Sequence, residues 1–188
     1  MATTSRGVGA DLGVFLYRLM GAATLDGAVY EGVEADIRAT RQAMATVLLA
    51  SVAAAIGAGG IVGFQMGTMV RITALALVIW FAWALLMFQI GTRVFPEPQT
   101  SATLGELLRT IGFAAAPGLL QVFAVLPGMF LPVFIGTWLW MLAAMVVGVR
   151  HALDYTSTLR AVMVCVAAAG LVTALALTFG VFFGPTVS

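Results

Sequence analysis

Five runs of about twenty residues, at 43–64, 72–91, 106–126, 130–149 and 159–183, carry hardly a charge. A helix needs about 20 mostly apolar residues to cross the hydrocarbon core of a bilayer, and each run meets that length. Inside lipid every backbone N–H and C=O must be paired within the protein, so only helices and closed barrels span membranes. The alternating pattern of a membrane barrel is absent, which predicts an all-α polytopic bundle of five transmembrane helices. Charged residues are 9% of the chain, against about 25% in a soluble domain. Mean hydropathy is +1.07. The net charge of +1 excludes nucleic acid as a partner class. Membrane lipids, a second copy of the chain or another membrane protein are the expected partners.

The third run is the least regular. Glu106 and Arg109 stand in its first turn, and Pro117 interrupts it with Gly118 following. A proline removes a backbone donor and kinks or breaks a helix. Five complete spans are expected, with a re-entrant third segment as the alternative.

Residues 1–42 differ from the spans at 43–188 and are read as a cytoplasmic amphipathic segment. Leu12, Phe15, Leu16, Leu19 and Met20 share a helical face, which predicts a helix lying in the interface. This stretch is short, broken by Arg18 and preceded by Asp11, so it is a poor signal peptide. Further on, Val29, Tyr30, Val33 and Ile37 are expected on one face. Asp26 is a candidate N-cap for that helix and Asp36 for the first span.

Arginine is costly in the bilayer and gathers at its cytoplasmic edge. All nine basic residues are arginine. With the N-terminus inside and five spans, eight arginines and all eight acids fall on the inner side, and only Arg71 falls outside. The expected location is therefore a bacterial inner membrane, with a cytoplasmic N-terminus and a periplasmic C-terminus. The arginine-only, Ala- and Gly-rich composition suggests a GC-rich bacterial genome.

The inner side includes an island at 149–162, "VRHALDYTSTLRAV", between the fourth and fifth spans. Arg150 suits the negative end of a helix. Ser157 or Thr158 can cap the next helix, and Arg160 can snorkel from its first turn. This island resembles the fourth-to-fifth helix junction of the bacterial branch of the Yip (Ypt/Rab-interacting protein) domain family. The stretch "VYEGVEADIRATRQAMATVLLASV" resembles that family's entry into the first span, and "LRTIGFAAAPGLLQVFAVLP" its third span. The resemblance covers residues 29–172. Ile37 departs from it, standing where relatives often carry proline. The resemblance implies five spans, a cytosolic N-terminal segment and a non-enzymatic role. Eukaryotic relatives assist vesicle traffic and bind Rab-type GTPases and one another. Bacteria lack that pathway, so the role does not transfer with the fold.

No catalytic or cofactor motif appears. His151 and Asp154 share a helical spacing but lack a third metal ligand, and Cys165 lies too deep in the next run. Ser157 has no supporting elbow for nucleophilic chemistry. "GAGG" at 57–60 lies within a span, where Gly59 and Gly63 form a GxxxG packing face. Gln65, Gln89 and Gln121 are the most polar span residues, with hydrogen-bonded structural roles expected. Trp80, Trp83, Trp138 and Trp140 are expected to pack against small neighbours. No metal, cofactor or enzymatic activity is expected. The expected working surface is cytoplasmic, with Tyr30, Glu31, Glu34 and Asp36 on one side. Arg150, His151, Asp154, Tyr155 and Arg160 stand on the other; the opposed charges either latch the N-terminal helix, with Arg150 or Arg160 close to Glu31, Glu34 or Asp36, or recruit a partner or lipid headgroup, and otherwise the island is a capped, snorkelling turn. Transport through a break at Pro117 and an accessory role in a larger membrane complex are the competing readings.

Overall fold

The computed structural model describes residues 3–62 and 66–183. Helices α1 (Thr3–Ala23) and α2 (Gly27–Ala35) precede α3 (Ala39–Val62) and α4 (Met66–Arg93). The third span is composite: α5 (Leu104–Phe113) is followed by a 3₁₀ segment, Ala116–Val125. Helices α6 (Phe130–Ala152) and α7 (Thr158–Phe183) complete the chain. Five stretches are long and apolar enough to cross a membrane: Ala39–Gly59, Thr73–Arg93, Leu104–Val125, Phe130–Ala152 and Thr158–Leu175. The chain is an all-α membrane bundle, and no strand occurs among the described residues.

The third span is the centre of the bundle, with most of its residues buried, whereas fewer than half are buried in each of the other four. It starts earlier than the hydrophobic run because a capping box precedes it. Thr103 Oγ1 accepts from Glu106 N–H at 3.3 Å, and Glu106 Oε2 accepts from Thr103 N–H at 2.6 Å. After Phe113 the winding tightens: Ala115 N–H donates to Gly112 O and Gly118 N–H to Ala115 O. Pro117 enters at the start of the 3₁₀ segment, where its missing N–H costs least. A 3₁₀ run of ten residues is long for this conformation. At about 1.5 Å per α residue and about 2.0 Å per 3₁₀ residue, the two parts reach roughly 35 Å. Arg109, near the start of this span, and His151, at the end of α6, both touch α2, while a short turn joins the opposite ends. The third span therefore runs the full length of the bundle and is not re-entrant.

Its closest neighbour is α3, which presents a stripe of buried small residues: Ala39, Ala43, Thr46, Ala50, Ala53 and Gly57. A Cβ on Gly57 would strike the Gln121 carbonyl oxygen, and one on Gly112 would lie 2.7 Å from the Ala43 Cβ. This seam is the tight small-residue contact of the bundle. Gly59 is buried, whereas Gly63 and Gln65 lie outside the described residues. Gln121 Nε2 donates to Thr137 Oγ1 at 3.1 Å, a hydrogen-bonded structural role.

Trp80 donates to Leu108 O at 3.2 Å, and Trp83 Nε1 lies 3.0 Å from Met145 Sδ, so both pack inward. Trp138 and Trp140 do not, being 59% and 40% exposed. Two positions apart on α6, they project about 160° from each other, to either side of Thr137 and Met141, which meet the third span. Ile37 also departs from expectation: Val29, Tyr30 and Val33 are buried, but Ile37 is 79% exposed. Helix α2 ends at Ala35 and the turn at Asp36 breaks the period, so Ile37 swings outward.

Candidate functional site

The island's conformation starts from the end of α6. Leu153 N–H donates to Val149 O, Asp154 N–H to His151 O and Tyr155 N–H to Arg150 O, the last two both at 2.9 Å. Asp154 adopts φ 53°, the left-handed conformation that closes a helix and that Asp tolerates better than most residues. The turn leaves Asp154 exposed and drives Tyr155 inward, to 4% exposure.

One side of the island clamps the segment after α4. The Tyr155 hydroxyl lies 2.8 Å from both Gly91 O, in the last turn of α4, and Phe95 O, just beyond it. Burial pushes this phenol up to about 12. Glu97 accepts from Thr156 N–H at 3.1 Å and Thr156 Oγ1 at 2.9 Å, and also from Gln99 Nε2. Arg160 Nε pairs with Glu97 at 3.3 Å, and Arg160 Nη1 donates to Pro96 O at 2.9 Å. Hydrogen bonds from Thr156, then the Arg160 charge, hold the Glu97 carboxyl below its ordinary range. Arg150 turns back on its own turn, donating to Tyr155 O at 3.3 Å and Thr156 O at 3.5 Å.

The other side holds α2. Asp26 Oδ1 accepts from Ala28 N–H at 3.0 Å and so caps this helix. Tyr30 is fully buried, with its ring parallel to that of His151 at a centroid distance of 6.3 Å. Gly148 makes room for it, since a Cβ there would lie 3.1 Å from the Tyr30 ring. Burial raises the Tyr30 phenol above its ordinary value. His151 Nδ1 also lies 3.5 Å from Glu31 Oε1. At the far end of α2, Arg109 Nε donates to Val33 O at 3.1 Å and Glu34 O at 3.0 Å, with Nη2 also on Glu34 O. Arg109 is only 6% exposed. Beyond it, Asp36 accepts from Arg18 Nη2 at 2.7 Å and from Arg38 N–H at 2.9 Å. The Arg18 hydrogen bond is the largest cause holding the Asp36 carboxyl below its usual range.

The N-terminal segment is thus fastened to the bundle, but not by the expected pairs. Arg150 and Arg160 serve the island and the 94–97 segment, which leaves His151, Arg109 and Arg18 to hold the acidic helix. Tyr30 and Tyr155 are packing residues, not contact surface. His151 and Asp154 diverge, one toward Glu31 and the other outward. Arg109, Arg18 and Glu97 are the residues that sequence reasoning missed. A trace of Glu97 was visible as the only charge between Pro96 and Pro98 in a loop rich in small polar residues.

Between α2, the start of α5 and the island lies an open cup of about 720 Å³. Glu31, Glu34, Glu106 and Asp154 line it, with Arg150 and His151. Desolvation, reinforced by Asp154 and Glu106, raises the Glu34 carboxyl to about 7, with Arg109 opposing. The cup therefore combines carboxylates that face solvent with one that holds its proton near neutrality. No curated protein and no solved structure gives a significant match to the chain. The Yip1 domain model, however, matches residues 12–180, which include α2, all five membrane-crossing helices and the whole charged rim, so the chain belongs to the Yip1 domain family.

Proposed function

We propose that this Yip1-domain protein is a non-enzymatic adaptor of the bacterial inner membrane that works through its cytoplasmic face. The N-terminus is then cytoplasmic and the C-terminus periplasmic, as the arginine asymmetry favours. The observation that carries the reading is the open acidic cup. Four carboxylates line it against one arginine and one histidine, so it suits a basic segment of another membrane protein. Tyr30, Arg109 and the clamp around Glu97 hold its walls in place. Transport through the third span is less favoured, because Gln121 is already engaged with Thr137.

The test is photocrosslinking in cells, with a benzophenone side chain at Glu31 or at Asp154, both exposed at the cup. The expected result is a discrete protein adduct that excess Glu34→Arg, Asp154→Arg protein fails to compete away. If the cup positions give only the lipid-type adducts of a lipid-facing site such as Leu171, the adaptor reading is wrong.

A further inference from the structure

Helix α1 packs on the bundle through one face. Phe15, Leu19 and Ala22 gather with Phe113, Ala116 and Leu119 of the third span. At about 100° per residue, Leu12, Leu16, Met20 and Tyr17 fall on a separate arc about 140° wide. They are 55%, 48%, 65% and 60% exposed. From Gly9 to Met20 no charged residue shares that arc, because Asp11 and Arg18 lie on the remaining side, where Arg18 reaches Asp36 and Gln42. A Cβ added at Gly9 or Gly13, both within the arc, would meet nothing within 4 Å.

The backbone at the end of α1 supplies an independent observation. The last four carbonyls of a helix need partners from capping bonds, side chains or water. Here each has a partner inside the protein. Met20 O accepts from Thr24 N–H at 2.9 Å and Thr24 Oγ1 at 3.1 Å. Gly21 O accepts from Asp26 N–H at 2.9 Å, and Ala22 O from Leu25 N–H at 3.2 Å and the Tyr30 hydroxyl at 3.3 Å. Ala23 O accepts from Trp140 Nε1 at 2.7 Å. Trp140 stands ten positions, about 15 Å of helix, before Arg150. Leu25 takes φ 63° to complete the closure, a conformation that costs a leucine strain. Full internal pairing is what a helix end needs where no water is present. Elsewhere on α6 the bundle surface is apolar too, with Ile135 and Leu139 each 56% exposed.

We infer that α1 is embedded in the leaflet on the charged side of the bundle, with Leu12, Leu16, Tyr17 and Met20 against lipid acyl chains. The chain then has five helices through the bilayer and a sixth that displaces lipid from one leaflet only. The partner of this surface is the lipid itself.

The experiment uses the full-length protein in phosphatidylcholine–phosphatidylglycerol nanodiscs, with Cys165→Ala as background. Single cysteines at Leu16 and Met20 carry bimane, with Leu139→Cys as the lipid reference and Gln99→Cys as the aqueous one. Quenching is read with doxyl groups on the lipid acyl chains and with iodide in the buffer. Leu16→Cys and Met20→Cys should behave like Leu139→Cys, with several-fold stronger doxyl quenching and weaker iodide quenching than Gln99→Cys. Behaviour like Gln99→Cys would overturn the inference in favour of an aqueous helix. Shielding from both quenchers, relieved when protein is diluted into excess lipid, would overturn it in favour of a second copy. If Leu16→Cys fails to fold, Leu12→Cys and Tyr17→Cys report on the same arc.

Discussion

The Arg109 guanidinium grips the main-chain carbonyl of Glu34, while the Glu34 carboxylate turns into the cup. An arginine and a glutamate thus meet without forming a conventional ion pair. The arginine closes the end of α2, and the acid stays available to protons.

Replacing Arg109 with Met should free the last turn of α2. Hydrogen bonds from a charged donor contribute about 1.5–3 kcal/mol each, and this substitution removes them from two carbonyls. Limited proteolysis should cut faster between α1 and α3. Arg109→Lys should rescue little, since a single ammonium cannot reproduce the guanidinium fork. Unchanged cleavage in Arg109→Met would show that α2 is held by Tyr30 and His151 alone.

Docking of α2 should weaken as pH rises from the ordinary carboxylate range to neutrality. The Glu34 pKa is raised in the folded protein, from an ordinary 4.5 to about 7. A raised acid favours its protonated form, so its contribution is full below the unfolded value and is lost as pH passes the folded one. Glu31, Glu106, Asp154 and Arg109 are the charged groups that act on it. Amide exchange of residues 27–35 should therefore speed up between about pH 4.5 and 7 beyond the intrinsic base-catalysed rise, with no further excess above that, and Glu34→Gln should flatten the change. Equal excess slopes in parent and variant would place the titration elsewhere.

The seam between α3 and the third span should tolerate no added volume. Gly57→Ala places its methyl on the Gln121 carbonyl and should cost about 1–3 kcal/mol. Gly136→Ala on α6 meets nothing within 4 Å and should be neutral or stabilising, because alanine is the better helix former. Thermal unfolding in detergent compares the two. Similar midpoints would mean that the seam opens without cost.

Asp154→Gly should raise stability by about 1 kcal/mol by relieving the left-handed backbone of a residue with a side chain. It should also lower the Glu34 pKa, since Asp154 is one of its neighbours in charge. Asp154→Val should do the opposite to stability. The Glu34 side-chain titration, followed by carboxyl NMR, checks the second effect separately from the melting temperature.

Much of the bundle is legible in the hydrophobic runs, because burial in lipid demands length and leaves little freedom in helix type. The cap at Asp26 is legible too, since it depends on a neighbour two residues away; Asp36, expected to cap the first span, instead closes α2 and accepts from Arg38 N–H in the turn before α3. The winding after Phe113 was not: Pro117 announces a break, but whether ten residues tighten into a 3₁₀ form depends on how closely α3 and α6 press on them. Charge pairing failed for a related reason. The island shows that Arg150 and Arg160 need partners, but backbone carbonyls at Pro96, Tyr155 and Thr156 satisfy much of that need. Carbonyls are present at every residue and leave no mark in a sequence. The tryptophans show the same limit, since Trp80 and Trp138 differ only in which way their helices are turned.

The 3₁₀ half of the third span has a consequence for how the protein fits its bilayer. Ten residues wound at about 2.0 Å rather than 1.5 Å per residue add about 5 Å to the central helix. That difference is comparable to the spread in hydrocarbon thickness between kinds of cellular membrane. The other spans can meet a thinner or thicker bilayer only by tilting or by deforming the lipid around them. The central span carries that extra length in the pitch of its own backbone, with Gln121 and Ala124 pressed against the small residues of α3.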